Sequence, residues 1–308
     1  MMKRTLGEAI KNWMIRYKMN SVKPATYDRL LVSLDALMRY PIAHEDILTL
    51  RTEDLQNYVN TLVDDGYAQT TIKKQFHLIS AYLRHANAEG IIPFPIQNNV
   101  KLPNQSAVKK KKKEVEAYSK PEQIRLMKVL QTCAHPSYGA AILMMEAGLR
   151  VGEALALTWG DILWERRAVR INKTLIRLAN RRLIEVQDSA KSYTSNRTVP
   201  LSTTAMQLLE RLYANCSDPA GFIFHTEDGS PLSYESIRYQ IQLACNEANV
   251  PYKGQHIFRH TFATNCYYRG CDVKILSKLL GHSDVTVTYN TYIHLFGDAL
   301  EEMRSVIS

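Results

Sequence analysis

Apolar positions in the first hundred residues recur every three or four places. Leu6, Ile10, Trp13, Met14 and Tyr17 fall on one face of a predicted helix, and Leu30, Leu31, Leu34, Leu37 and Met38 on one face of a second, because 3.6 residues complete a turn. A third run, Leu55, Tyr58, Val59 and Leu62, follows a candidate cap at Thr52 and stops at Gly66. A fourth, Ile72, Phe76, Ile79, Tyr82 and Leu83, stops at Gly90. The connections are short and polar, so the pattern predicts a helical bundle. Between Ile91 and Pro103 the periodicity lapses and three prolines occur, and the run Lys109 to Lys113 follows. Such a stretch predicts a linker rather than packed core.

Helical spacing resumes behind the capping-box pattern Ser119-Lys120-Pro121-Glu122, through Ile124–Leu130 and Tyr138–Ala147, the latter closed by Gly148. After Ile162 the period drops to two. Ala168–Asn172, Leu175–Leu178, Arg182–Val186 and Thr198–Leu201 predict short strands, with Lys191–Asn196 as a polar turn between the last two. Helices then run to the C-terminus. The predicted fold is mainly α with a small antiparallel β-sheet, divided into a helical domain at 1–102, a basic linker at 103–117 and a second domain at 118–308.

Charge sharpens this division. The 308 residues, enough for two cores, carry a formal +9, of which Lys109 to Ala117, with five basic and two acidic residues, supply +3. A basic balance favours a polyanionic partner. The lysine run by itself reads as a solvated tether, but between two domains that bind a polyanion Lys109, Lys110, Lys111, Lys112 and Lys113 would form a strap on its phosphates. Five cysteines, Cys133, Cys216, Cys245, Cys266 and Cys271, form an odd set without a C-x-x-C pair, which predicts free thiols in a reducing compartment. No signal peptide or membrane-spanning run is visible, so a cytoplasmic protein is expected, nucleoid-associated if its polyanion is DNA.

The candidate chemistry lies in the second half. Arg150 sits in Gly148-Leu149-Arg150-Val151-Gly152-Glu153-Ala154-Leu155, followed by Leu157-Thr158-Trp159-Gly160-Asp161-Ile162. His256 and Arg259 sit in His256-Ile257-Phe258-Arg259-His260-Thr261-Phe262-Ala263-Thr264. His282 and Tyr292 sit in Leu279-Leu280-Gly281-His282-Ser283-Asp284 and Thr291-Tyr292-Ile293-His294. These three boxes, in this order, resemble those of the tyrosine recombinase (phage integrase) family. The resemblance implies a SAM-like core-binding domain ahead of a catalytic domain, a site made of Arg150, Lys191, His256, Arg259, His282 and the nucleophile Tyr292, and support of Arg150 by Glu153. Guanidinium forks match the non-bridging oxygens of a phosphorane. A tyrosine of ordinary pKa about 10 needs a base or a cationic setting to attack.

Each residue has a plainer reading. Arg150 alone would be an ion-pair partner of Glu153, and His260 is assigned a structural hydrogen bond. Lys191 is the expected general acid, with Lys173 as the alternative. Tyr289 is expected to pack, and Tyr267 and Tyr268, on an amphipathic helix, to belong to the core. The resemblance further implies double-stranded DNA with short inverted-repeat core sites, a homotetramer on DNA, accessory or directionality proteins in some systems, and neither cofactor nor metal. The chain starts almost directly with the helical domain, so no additional arm-site-binding domain is expected. Three rivals are a type IB topoisomerase, a non-catalytic DNA-binding relative and a metal-dependent nuclease. The last lacks a clustered Asp/Glu set.

Overall fold

The computed structural model describes residues 4–104, 106, 108, 117–178, 184–188 and 196–292, with 184–188 and 292 described as backbone alone. The described residues fall into two compact units, the first over 4–108 and the second over 117–177, 184–188 and 196–292.

The first unit is built from helices α1 (Leu6–Trp13), α2 (Pro24–Leu37), α3 (Thr52–Asp64) and α4 (Gln69–Ala88), with a π-helical turn at Met14–Lys18. The apolar faces read from the sequence meet in one core that includes Leu6, Ile10, Leu34, Leu55, Ile72, Ile79 and Leu83. Two expectations change. Thr52 is the first helical residue rather than the cap, and Asp54 accepts the N–H of Arg51 at 2.8 Å to close the start of α3. The proline-containing segment is packed, not loose. Ile92 is buried, and Ile91, Ile96, Val100 and Leu102 lie against the core. Gln56 bonds Lys101 through both its amide groups, at 3.1 and 2.8 Å, and Gln69 donates to the Pro103 carbonyl at 2.9 Å. Prolines forbid helix continuation there but leave the apolar residues between them free to pack. The run Lys109–Lys113 lies outside the described residues.

The second unit surrounds α6 (Pro136–Ala147), which is buried on nearly every side. Its sequence holds one charged residue, Glu146, in twelve, and a helix apolar all round belongs inside a core. Helices α5 (Lys120–Leu130), α7 (Val151–Leu155), α8 (Thr203–Ala214), α9 (Tyr234–Glu247), α10 (His256–Tyr268), α11 (Val273–Leu280) and α12 (Val285–Tyr292) are the other α-helices among its described residues. The expected capping box at Ser119 is present, its N–H bonded to Glu122 at 2.7 Å.

The strands divide between two antiparallel sheets. β1 (Ile162–Leu163), β2 (Ala168–Ile171) and β5 (Arg197–Pro200) form one in the order β1-β2-β5. β3 (Lys173–Arg177) and β4 (Ile184–Asp188) form the other. β4 and β5 therefore belong to different sheets: β2 pairs Val169 with Val199, while β3 pairs Leu175 with Val186; the expected turn at Lys191–Asn196 lies, but for Asn196, outside the described residues. Alternation reveals each strand but not its partner.

Candidate active site

Gly148 is where the site begins. At φ 64° it ends α6 in a left-handed turn, and a Cβ there would lie 2.4 Å from the Phe262 ring. Glycine thus serves both the turn and the close approach of α10. That approach lets the guanidinium of Arg259, on the first turn of α10, donate to the Gly148 carbonyl at 2.7 Å. Two residues on, Arg150 precedes α7, its own N–H bonded to Glu153 at 2.8 Å and its guanidinium to the same carboxylate at 2.7 Å.

The third box is shaped by the end of α11. Asp272 caps the start by accepting the N–H groups of Lys274 and Ile275. Gly281, at φ 63°, ends the helix, with Gly281 N–H bonded to Lys278 and His282 N–H to Ser277 at 3.0 Å each, a Schellman arrangement. Carbonyls beyond these need other donors. Arg197 donates to Leu279 at 2.7 Å, Arg259 to Leu280, and Arg150 to Gly281 at 3.3 Å. Three guanidiniums from separate parts of the chain therefore converge on the negative end of one helix dipole, and they set His282 among them.

Arg197 is the residue that sequence reasoning missed. Its fork grips both oxygens of Glu153, at 3.1 and 2.8 Å, with 6% of its side chain exposed. The signal was its alternation with Val199, a fully buried residue on the same face of β5. Burial alone would raise the Glu153 pKa, but hydrogen bonds and charge from Arg197, then from Arg150, bring it to about 2. Arg150 keeps more surface than Arg197, with 37% of its side chain exposed.

Three histidines are held neutral by this setting. Burial, then the charges of Arg259, Arg150, Arg197 and His260, lowers the His282 pKa to about 4. Burial, then His256 and Arg259, lowers His260 to about 4. His256 keeps solvent access at the start of α10, and partial burial, then Arg259 and Arg150, lowers its pKa as well. The His282 ring is fixed at both nitrogens: Arg259 meets Nε2 at 3.1 Å and Thr288 Oγ1 meets Nδ1 at 2.7 Å.

The remaining candidates separate. The backbone of Tyr292 is the last described residue of α12, ten residues after His282; its side chain lies outside the described residues, as does Lys191, three residues past the end of β4. Lys173, the alternative acid, is committed to Asp161 at 2.6 Å and Thr158 at 2.9 Å. Tyr289 is 47% and Tyr268 70% exposed, so neither is core, because α12 and the last turn of α10 leave these faces uncovered. None of the five cysteines is in a disulfide. Among the described residues no helix is long and apolar enough to cross a membrane.

The family model described as the phage integrase family matches residues 118–298. A tyrosine recombinase XerC-like protein of Caldanaerobacter subterraneus subsp. tengcongensis is 27% identical over 317 residues, covering 94% of this chain and 79% of the relative. A transposase from transposon Tn916 of Enterococcus faecalis is 24% identical over 289 residues, covering 88% and 70%. Among solved structures, the Tn1549 transposon integrase in complex with a circular intermediate DNA superposes with TM-score 0.78 at 19% identity over 99% of both chains. A lambda integrase tetramer bound to a Holliday junction gives 0.66 at 17% identity over 94% of this chain and 78% of that one.

Proposed function

The chain belongs to the phage integrase family, and from that premise we propose that it cleaves and rejoins DNA at specific sites through a 3′-phosphotyrosyl intermediate on Tyr292. In this reading Arg150 and Arg259 bind the non-bridging oxygens of the scissile phosphate and stabilise the added charge of the phosphorane, an effect worth a few kcal/mol per preorganised donor. The Tyr292 oxygen attacks phosphorus, and its proton passes to neutral His256. The 5′-oxygen leaves with a proton from Lys191. His282 donates to a non-bridging oxygen, and Glu153 holds Arg150 in place. Reversal by another strand's 5′-hydroxyl reseals the backbone without an external energy source, since the phosphotyrosyl bond conserves that of the phosphodiester.

One observation carries this reading: residues from all three boxes, Arg150, Arg259 and His282, meet around the end of α11. Placement on DNA extends it. The first unit has a concavity of about 1080 Å³ where Arg4, Lys11 and Arg16 outnumber Glu8 and Glu89 beside Tyr17, which supports a backbone-contacting surface. Lys109–Lys113 would bind further phosphates, and the assembly would be a tetramer on paired inverted core sites, with accessory proteins setting direction. Integration and excision of a mobile element is the role favoured by the transposon-borne relatives.

The test is a nicked suicide duplex carrying the core site. Wild-type protein is expected to accumulate a covalent adduct, with or without EDTA, and Tyr292→Phe none. An adduct that survives in Tyr292→Phe would sink the assignment of the nucleophile, and loss of activity on chelation would turn the reading to a metal-dependent nuclease. Relaxation of plasmids lacking any defined site would favour the topoisomerase instead.

A further inference from the structure

Helix α12 presents an unusual burial pattern. Its apolar residues Val285 and Val287 are 40% and 47% exposed, whereas the polar Thr288 is 1% exposed. A hydroxyl is buried at a cost unless it is hydrogen-bonded, and this one meets Nδ1 of His282 at 2.7 Å. Because Arg259 is a donor without acceptor capacity, its 3.1 Å contact makes Nε2 of His282 the acceptor. The neutral ring must then carry its proton on Nδ1 and donate it to Thr288. Protonation of both nitrogens is opposed by burial and then by the surrounding Arg259, Arg150, Arg197 and His260.

This tautomer is the wrong one for donating to a phosphate oxygen, which needs a proton on Nε2. A hydroxyl both donates and accepts, so it can serve the ring in either state. We propose that Thr288 is a positioning residue whose hydroxyl holds the His282 ring in either tautomer, accepting from Nδ1–H in the free protein and donating to Nδ1 once a phosphate oxygen occupies Nε2. In the exchange Nδ1 gives its proton to water and Nε2 takes one from water. The hydroxyl hydrogen rotates towards Nδ1, and net charge is unchanged. Thr288 also lies four residues before Tyr292, so the same bond ties His282 to the helix that carries the nucleophile.

The inference rests on the recombinase reading, and its test separates the two. In the free wild-type protein, ¹⁵N shifts of His282 should show a protonated Nδ1 and an unprotonated Nε2. In Tyr292→Phe bound to the nicked duplex the assignment should reverse. Thr288→Val, close in shape but without the hydroxyl, leaves Nδ1 without that partner and should shift its ¹⁵N signal and slow adduct formation by roughly tenfold, with DNA affinity unchanged. Thr288→Ser should restore both. Wild-type cleavage rates in Thr288→Val, or a protonated Nδ1 that persists on DNA, would overturn the proposal. Failure of the wild-type protein to form any adduct would overturn the recombinase reading instead, and the free-protein spectra of the wild type and Thr288→Val would still decide the tautomer.

Discussion

Glu153 shows how much a single carboxylate holds in place. It joins Arg150 from the first box to Arg197 at the root of the segment that holds Lys191. Removing it leaves the 6%-exposed Arg197 side chain without its counter-charge, so Glu153→Ala should lower unfolding free energy by about 3 kcal/mol, read from urea denaturation. Acid should act in the same direction. Glu153, at about 2 against an ordinary 4.5, contributes stability above pH 4.5 that is lost as pH falls towards 2. His260 and His282, at about 4 against 6.5, are protonated first in the unfolded chain, so stability declines from pH 6.5 to 4. Urea midpoints measured across pH should fall in both windows, and Glu153→Gln should flatten only the lower one. Arg150, Arg259, His256 and His282 were legible because each sits in a distinctive local string. Arg197 and Thr288 stand in ordinary strings, and their importance comes from partners 44 and six residues away.

Packing between elements explains why the site tolerates so little change. Gly152, on α7, lies so close to β3 that a Cβ would come within 2.5 Å of the Leu175 carbonyl and 2.3 Å of the Tyr234 hydroxyl. That hydroxyl itself donates to Leu175 at 2.7 Å, and Arg177 pairs with Glu235 one residue along α9. Gly152→Ala must therefore push β3 away from α7. It should cost about 1–3 kcal/mol, seen as a lower melting temperature, and slow adduct formation more than it weakens DNA binding. The helices were legible from apolar spacing and the strands from alternation. Their sorting into two sheets was not, since Asn172 separates β2 from β3 without any proline or glycine to mark the change of partner.

At the scale of the whole molecule, the proposed contacts with DNA rest on charge. Replacing Lys109 to Lys113 with glutamine in the full chain should make the plot of log affinity against log salt shallower by about 0.9 for every phosphate that is no longer neutralised. The rate of adduct formation at saturating DNA should stay unchanged. An unaltered slope would return the lysines to the role of a solvated tether. The sequence by itself determined the helical first unit, the mixed second unit and the family, because local periodicity and short motifs depend only on neighbouring residues. Tertiary structure alone decided that the proline-containing segment packs, that Lys173 is committed to Asp161, and that Arg197 and Thr288 join the site. The physical reason is the end of α11: its unpaired carbonyls collect donors from residues up to 131 positions away, a demand that no local string of residues records.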